Sequence, residues 1–184
     1  MEEQKVDRKR IIFMNLESKL RHVLDFPKPG IDFIDITPVL QDAAALKQCL
    51  EEMRDKILEL GKVDLIVGAE SRGFIFGAPL AYMLGIGFVP IRKKGKLPYK
   101  SISVEYELEY GTDVLEMHED AIKPGDRVII VDDLLATGGT AGSNVKLVEK
   151  LGGEIAGMVY FIELSFLKGR DKLKGYKVES LVKI

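Results

Sequence analysis

The chain is predicted to be an α/β protein, with a mainly parallel twisted sheet flanked by helices. Three observations predict it. Short apolar, β-branched runs recur along the 184 residues. Stretches with helical periodicity alternate with them, and glycine or proline turns separate the two. In sheets of this kind ligands bind outside the carboxyl ends of the strands, so the loops that directly follow strands are the places to examine.

In chain order, residues 1–15 form a charged tail that leads into a short helix predicted over 15–24. Phe26-Pro27-Lys28-Pro29-Gly30 excludes regular helix. Asp42 is an N-cap for a helix running to about residue 60, with Leu46, Leu50, Met53, Ile57 and Leu60 on one face. Residues 63–67 read as a buried strand, followed by the turn Gly68-Ala69-Glu70-Ser71-Arg72-Gly73 and a helix to about residue 84. A strand follows at 87–91, then a basic loop at 92–100. Residues 101–106 and 114–117 are the arms of a hairpin turned at Tyr110-Gly111. Lys123-Pro124-Gly125-Asp126 is a turn into a strong strand at 127–131. A helix at 141–151 is stopped by Gly152-Gly153, and 154–163 and 176–184 read as two further strands.

Composition excludes several classes. The length suits one domain, 1–184. A formal net charge of −2 gives no general attraction for nucleic acid or an anionic membrane, so an anion site must be a local concentration of donors. Cys49 is the single cysteine, which rules out an internal disulfide or a thiolate metal cluster, and His22 and His118 lack a zinc-site spacing. His22 is expected on the first helix and His118 in a polar stretch, neither placed as a catalytic base. No apolar stretch approaches the roughly 20 residues of a membrane span. The apolar residues after the charged start are too few for a signal peptide, so a cytoplasmic protein is expected.

The richest segment is Val128-Ile129-Ile130-Val131-Asp132-Asp133-Leu134-Leu135-Ala136-Thr137-Gly138-Gly139-Thr140. A strand leads to two adjacent carboxylates, and a loop of small residues then opens into a helix. Backbone N–H groups of such a loop, the hydroxyls of Thr137 and Thr140, and the helix N-terminus suit a phosphomonoester. The segment lacks the Gly-Lys-Ser/Thr of a Walker loop and the spacing of a dinucleotide turn. Asp132 and Asp133 would repel a phosphate unless they face other groups. Ribose hydroxyls or a Mg²⁺ shared with the ligand meet that need. A sugar diol carrying a 5-phosphate satisfies both halves of the segment. The plainer alternative, a tight strand-to-helix turn with two solvated acids, leaves the combination of Asp-Asp and Thr-Gly-Gly-Thr unexplained.

This segment resembles the motif by which type I phosphoribosyltransferases bind PRPP (5-phosphoribosyl 1-diphosphate), and the chain is similar to the adenine-specific branch of that family from about residue 26 to residue 172. The resemblance is carried by Phe26-Pro27-Lys28-Pro29-Gly30-Ile31-Asp32-Phe33-Ile34-Asp35-Ile36-Thr37-Pro38, Glu70-Ser71-Arg72-Gly73-Phe74 and Ile91-Arg92-Lys93-Lys94-Gly95-Lys96-Leu97-Pro98. It extends through Leu108-Glu109-Tyr110-Gly111 and Glu163-Leu164-Ser165-Phe166-Leu167-Lys168-Gly169-Arg170. It implies a small N-terminal hood over the base, about 1–35 including the tail, and a mobile hairpin lid, about 96–112.

The implied reaction is displacement at the ribose anomeric carbon, with adenine and PRPP giving AMP and diphosphate in purine salvage. The resemblance assigns PRPP to Asp132, Asp133, Ala136, Thr137, Gly138, Gly139, Thr140, Ser71, Arg72, Lys93 and Lys96, with Arg72 also neutralising the leaving diphosphate. It implies a non-proline cis peptide in the Ser71 turn. From composition alone the lysine loop reads as solvated. Glu109 is implied as the general acid/base near the purine. The resemblance also implies that Phe33 stacks on the base and Leu164 covers it, while the backbone of Asp32 and Ile34 reads its amino edge. Asp32 and Ile34 depart from the family pattern, which commonly has an apolar residue and an arginine there. Arg92 is implied at a homodimer contact, and Mg²⁺ is bound mainly through PRPP rather than by a protein cage. The rival readings are transfer to another purine (xanthine, hypoxanthine or guanine) and a non-catalytic PRPP-sensing regulator.

Overall fold

The computed structural model describes residues 14–107 and 112–184. The chain divides into two compact units, Met1–Gln48 and Cys49–Ile184.

In the first unit, a 3-10 turn at Glu17–Lys19 precedes β1 (Arg21–Leu24), which pairs antiparallel with β2 (Asp32–Asp35) in the register Arg21↔Asp35 to Leu24↔Asp32. The helix expected over 15–24 is therefore corrected: only its first part is helical, and the rest is strand. An isolated helix of that length is marginal in water, whereas residues 21–24 gain a hydrogen-bonded ladder with 32–35. His22 accordingly covers no helix, and its Nδ1 lies 2.7 Å from Asp32 Oδ2. A cis Phe26–Pro27 bond and Gly30 at φ 83° lie in the connection between the two strands. A short helix, α1 (Thr37–Gln41), follows with proline in its first turn, where the missing N–H costs no intrahelical bond.

Helix α2 (Ala43–Glu59) begins as expected at Asp42, whose Oδ1 accepts hydrogen bonds from the N–H groups of Ala44 and Ala45. The Lys19 ammonium, followed by the Ala45 N–H, holds the Asp42 carboxyl below its usual range. Cys49, Met53 and Ile57 form a buried stripe along this helix. Burial pushes the Cys49 thiol far up, so it behaves as a small apolar residue.

The second unit is built on a seven-stranded sheet in the order β5-β6-β4-β3-β7-β8-β9. Its strands are β3 (Leu65–Ala69), β4 (Gly87–Lys93), β5 (Ser101–Glu107), β6 (Thr112–His118), β7 (Arg127–Leu135), β8 (Glu154–Glu163) and β9 (Val178–Lys183). The pairs β3–β4, β3–β7, β7–β8 and β8–β9 are parallel, and β4–β6 and β5–β6 are antiparallel. The mainly parallel sheet holds. The hairpin is built into it, because Arg92↔Glu116 and Lys93↔Leu115 join β6 to β4.

Val128, Ile129, Ile130 and Val131 are fully buried, as expected of a central parallel strand covered on both faces. Strand β3 leads through α3 (Arg72–Leu84) to β4, and β7 leads through α4 (Gly139–Lys150) to β8. These crossovers depart in opposite directions from neighbouring strands. The carboxyl ends of β3 and β7 therefore form a topological switch point, where a crevice opens in sheets of this kind.

Candidate active site

A cavity of about 240 Å³ opens at that switch point. Ser71, Arg72, Asp132, Asp133, Ala136, Thr137, Gly138, Gly139 and Thr140 all line it, together with Glu70, Leu134, Leu135, Ala141 and Tyr160. Nine residues picked from sequence for one ligand thus meet in one place. Local folding explains how. Helix α3 starts directly after β3, and the Glu70–Ser71 bond that joins them is cis. Helix α4 is preceded by its N-cap Gly138, whose φ of 77° lies in the left-handed region that glycine adopts without steric penalty. Neither N-cap residue, Ser71 for α3 and Gly138 for α4, makes a side-chain capping hydrogen bond. The first turn of a helix carries N–H groups with no intrahelical partner, so two positive helix ends border one cavity.

Opposite these donors stand the two carboxylates. The strand does not end at them, as the sequence suggested, but runs on through Leu135. Arg72 Nε lies 2.9 Å from Asp133 Oδ2. That oxygen is buried and has no hydrogen-bond partner of good geometry, so the contact is an ion pair rather than an aligned hydrogen bond. Asp132 Oδ1 accepts a hydrogen bond from the Asp133 N–H at 2.9 Å. Burial pushes the Asp132 carboxyl well above its usual range, and the neighbouring Asp133 charge adds to this. Burial raises Asp133 as well, while Arg72 opposes the rise. Burial thus disfavours ionisation of both acids, and Arg72 offsets that at Asp133.

The basic loop is arranged differently. Lys93 Nζ lies 3.1 Å from Asp113 Oδ2 on β6, and the hydrogen bond to that carboxylate raises the ammonium pKa. Tyr106 on β5 donates a hydrogen bond to Asp113 Oδ2 at 3.4 Å, and its hydroxyl also interacts with the Thr140 side chain. The hairpin therefore touches the loop that opens α4. Lys96 is exposed. Arg92 Nε donates to Glu70 Oε2 at 2.6 Å, and Glu70 lines the cavity. None of Arg92, Lys93 and Lys96 lines the cavity itself.

Among the remaining expected residues, Leu164 is half-buried just beyond β8, and its N–H bonds the Leu135 carbonyl at 2.9 Å. In the first unit, Phe33 meets the Phe26 ring edge-on at 5.3 Å, Ile34 is buried and Asp32 is exposed. Glu109 lies outside the described residues. Sequence reasoning missed Glu70 and Tyr160 as lining residues. For Glu70 the signal is its position directly before the Ser71-Arg72 pair. Tyr160 becomes visible only through its register opposite Asp132 across β7–β8. Among the described residues, no group of three or more His, Cys, Asp or Glu can hold a metal ion, and no helix is long and apolar enough to cross a membrane.

Residues 39–182 match the family described as phosphoribosyl transferase domain. The chain is 75% identical over 169 residues to an adenine phosphoribosyltransferase of Acetivibrio thermocellus, covering 92% of this chain and 99% of that one. The crystal structure of the enzyme of the same name from Thermoanaerobacter pseudethanolicus is similar at a TM-score of 0.89 and 57% identity, over 92% of this chain and 98% of that one. The Saccharomyces cerevisiae adenine phosphoribosyltransferase, solved with an imino-altritol bisphosphate and adenine, is similar at a TM-score of 0.85 and 43% identity, over 89% and 94% of the two chains. With a family match over most of its length and relatives this similar, the chain belongs to the phosphoribosyl transferase domain family.

Proposed function

We propose that the protein transfers the 5-phosphoribosyl group of PRPP to adenine, giving AMP and diphosphate in purine salvage. One observation carries the reading: two helix N-termini and two adjacent carboxylates, Asp132 half-buried and Asp133 buried, line a single cavity. The loop 136–140 receives the 5-phosphate through its N–H groups and the hydroxyls of Thr137 and Thr140. Asp132 and Asp133 accept hydrogen bonds from the ribose diol. The Ser71 turn and Arg72 neutralise charge as the diphosphate departs, which is the largest demand of a dissociative displacement. Lys93 and Lys96 assist from the loop beyond β4. For the base, the family resemblance assigns Phe33 and Leu164 as covering side chains and the backbone of Asp32 and Ile34 as the reader of its amino edge. Where the family carries arginine, Ile34 is buried and presents no polar side chain, which leaves that reading to main-chain groups.

Mg²⁺ fits this donor set as an ion that arrives with its ligand. Among the described residues the cavity offers adjacent carboxylates but no cluster of three or more metal-ligating side chains, so the ion would be held mainly through PRPP. When bound, the ion neutralises the diphosphate and makes it a better leaving group. The relatives' names support adenine as the base.

We read the protein as a cytoplasmic homodimer. Ile75, Tyr82 and Met83 are exposed apolar residues on α3, and Tyr82 is 89% exposed, a surface that self-association would cover. Sedimentation at micromolar concentration tests this, and a monomer there removes the homodimer.

The test of the reaction is incubation with PRPP and Mg²⁺ while adenine, hypoxanthine, guanine, xanthine and uracil are offered separately. AMP from adenine alone is expected. Turnover of another base in preference would reassign the substrate, and no product with PRPP still bound would favour a sensor. Glu109→Leu is expected to lower kcat by orders of magnitude while PRPP affinity stays near wild type. Near-normal turnover in that variant removes Glu109 from the mechanism.

A further inference from the structure

Behind the phosphate loop lies a segment that lines no part of the cavity. Gly169 is buried with its backbone directly against the loop. A side chain at Gly169 would collide with the Ala136 carbonyl and reach 3.1 Å from the Gly138 nitrogen. Reciprocally, a Cβ at Gly138 would fall 2.5 Å from the Gly169 carbonyl oxygen. Two stretches of main chain thus meet with no room for a methyl group, at the turn where α4 begins.

Gly169 is itself fixed from its neighbour. Arg170 donates from Nε and Nη2 to the two oxygens of Glu163, at 2.6 and 2.8 Å, a fork-to-fork pair that fixes the guanidinium in orientation as well as position. Its Nη1 donates to the Val178 carbonyl at 2.6 Å, and the Ser180 hydroxyl donates to Glu163 Oε2 at 2.7 Å. Glu163 is 6% exposed at the end of β8, opposite Leu135 on β7, the residue just before the loop. One network therefore spans the ends of β8 and β9, and the residue next to its arginine backs the phosphate loop. A network meant only to secure the edge strand β9 would not require the arginine to follow a glycine packed against Ala136 and Gly138.

We propose that Arg170, clamped by Glu163 and Ser180, is a positioning residue: it seats Gly169 as the backstop of the 136–138 turn and so sets the spacing of the N–H groups that receive the 5-phosphate. The inference rests on the phosphoribosyl reading of the cavity. Neither residue lines the cavity. Their effect belongs to the affinity for PRPP, because losing one well-aligned hydrogen bond to a charged group costs about tenfold or more.

The test measures PRPP binding in the presence of Mg²⁺ by calorimetry, alongside the unfolding midpoint of the ligand-free protein and KM for adenine. The proteins compared are wild type, Gly169→Ala, Arg170→Lys, Ser180→Ala and the Gly169→Ala/Arg170→Lys double variant. Gly169→Ala is expected to weaken PRPP binding by about tenfold or more, with KM for adenine at saturating PRPP unchanged. Arg170→Lys keeps the charge but loses the fork, and is expected to weaken binding in the same direction. The double variant should be no weaker than Gly169→Ala alone, because both changes act through one contact. If Gly169→Ala does not fold, Arg170→Lys and Ser180→Ala carry the comparison. Lower midpoints with wild-type PRPP affinity would mean a purely structural network and overturn the proposal. Wild-type protein that fails to bind PRPP would overturn the parent reading, and this inference with it.

Discussion

Arg72→Ala is expected to lower kcat/KM for PRPP by about 10²–10³-fold, the usual effect of deleting one preorganised donor aimed at developing negative charge. The side chain has two partners in the proposed cycle: Asp133 without ligand, at 2.9 Å, and the diphosphate when PRPP binds. Removing it therefore also acts on the free protein. Arg72 opposes the burial that raises the Asp133 carboxyl, so without it that pKa climbs further. A carboxylate whose folded pKa lies above its unfolded value leaves stability intact below the unfolded pKa, and stability falls as pH rises through the folded one. Arg72→Ala should thus be close to wild type in stability in acid and fall behind at neutral pH, by about 1–3 kcal/mol given the partial exposure of the pair. Arg72→Lys should recover part of the stability and less of the activity, since an ammonium restores the charge without the planar fork. Steady-state kinetics and thermal unfolding across pH check both parts, and full activity in Arg72→Ala would remove the residue from diphosphate neutralisation.

Asp132→Asn is expected to separate function from stability in the opposite sense. Burial and the Asp133 charge raise the Asp132 carboxyl, so at neutral pH its ionisation opposes folding. The neutral amide removes that opposition. The ligand-free variant should gain about 1–2 kcal/mol at pH 7, roughly 2–8 °C in the unfolding midpoint for a chain of this size. The gain should vanish in acid, below the unfolded pKa, where Asp132 is protonated in both states and contributes nothing. Activity should fall by about 10²-fold or more, because an amide is a weaker acceptor for the ribose diol and carries no charge for an ion held with the diphosphate. A gain in midpoint that persists unchanged into acid would mean that packing, not charge, separates the two proteins.

Much of this site was legible in the sequence because its signals are local. Asp132, Asp133 and the loop 136–140 are continuous in the chain, and the order strand, acids, small residues, helix fixes their relation before any tertiary contact forms. The Ser71-Arg72 turn was legible for the same reason. Helix α2 announced itself through the Asp42 cap and a stripe with helical spacing. What escaped depends on pairing between distant segments. The strand Arg21–Leu24 reads as helix in sequence because its four residues carry no alternation of their own, and their conformation comes from Asp32–Asp35 across a turn. Tyr160 lines the cavity only because β8 lies parallel to β7 in a register that sets it beside Asp132. The pairing of Lys93 with Asp113 depends on β4 and β6 being neighbours although they are not consecutive in the chain. The contact of Gly169 with the phosphate loop is a main-chain approach, visible from sequence only as one glycine among many. The apolar surface of α3 was hidden for a related reason: a helix with Phe76, Leu80 and Ala81 buried shows no periodic excess that singles out Ile75, Tyr82 and Met83 as exposed.

The most direct test is a crystal structure of the protein with PRPP and Mg²⁺ in the absence of base. The expected result is the 5-phosphate within hydrogen-bonding distance of the backbone nitrogens of residues 137–140, the ribose diol on Asp132 and Asp133, and the diphosphate at Ser71 and Arg72. A 5-phosphate bound at the lysine loop, or a diphosphate seated in the loop 136–140, would contradict the assignment of this cavity.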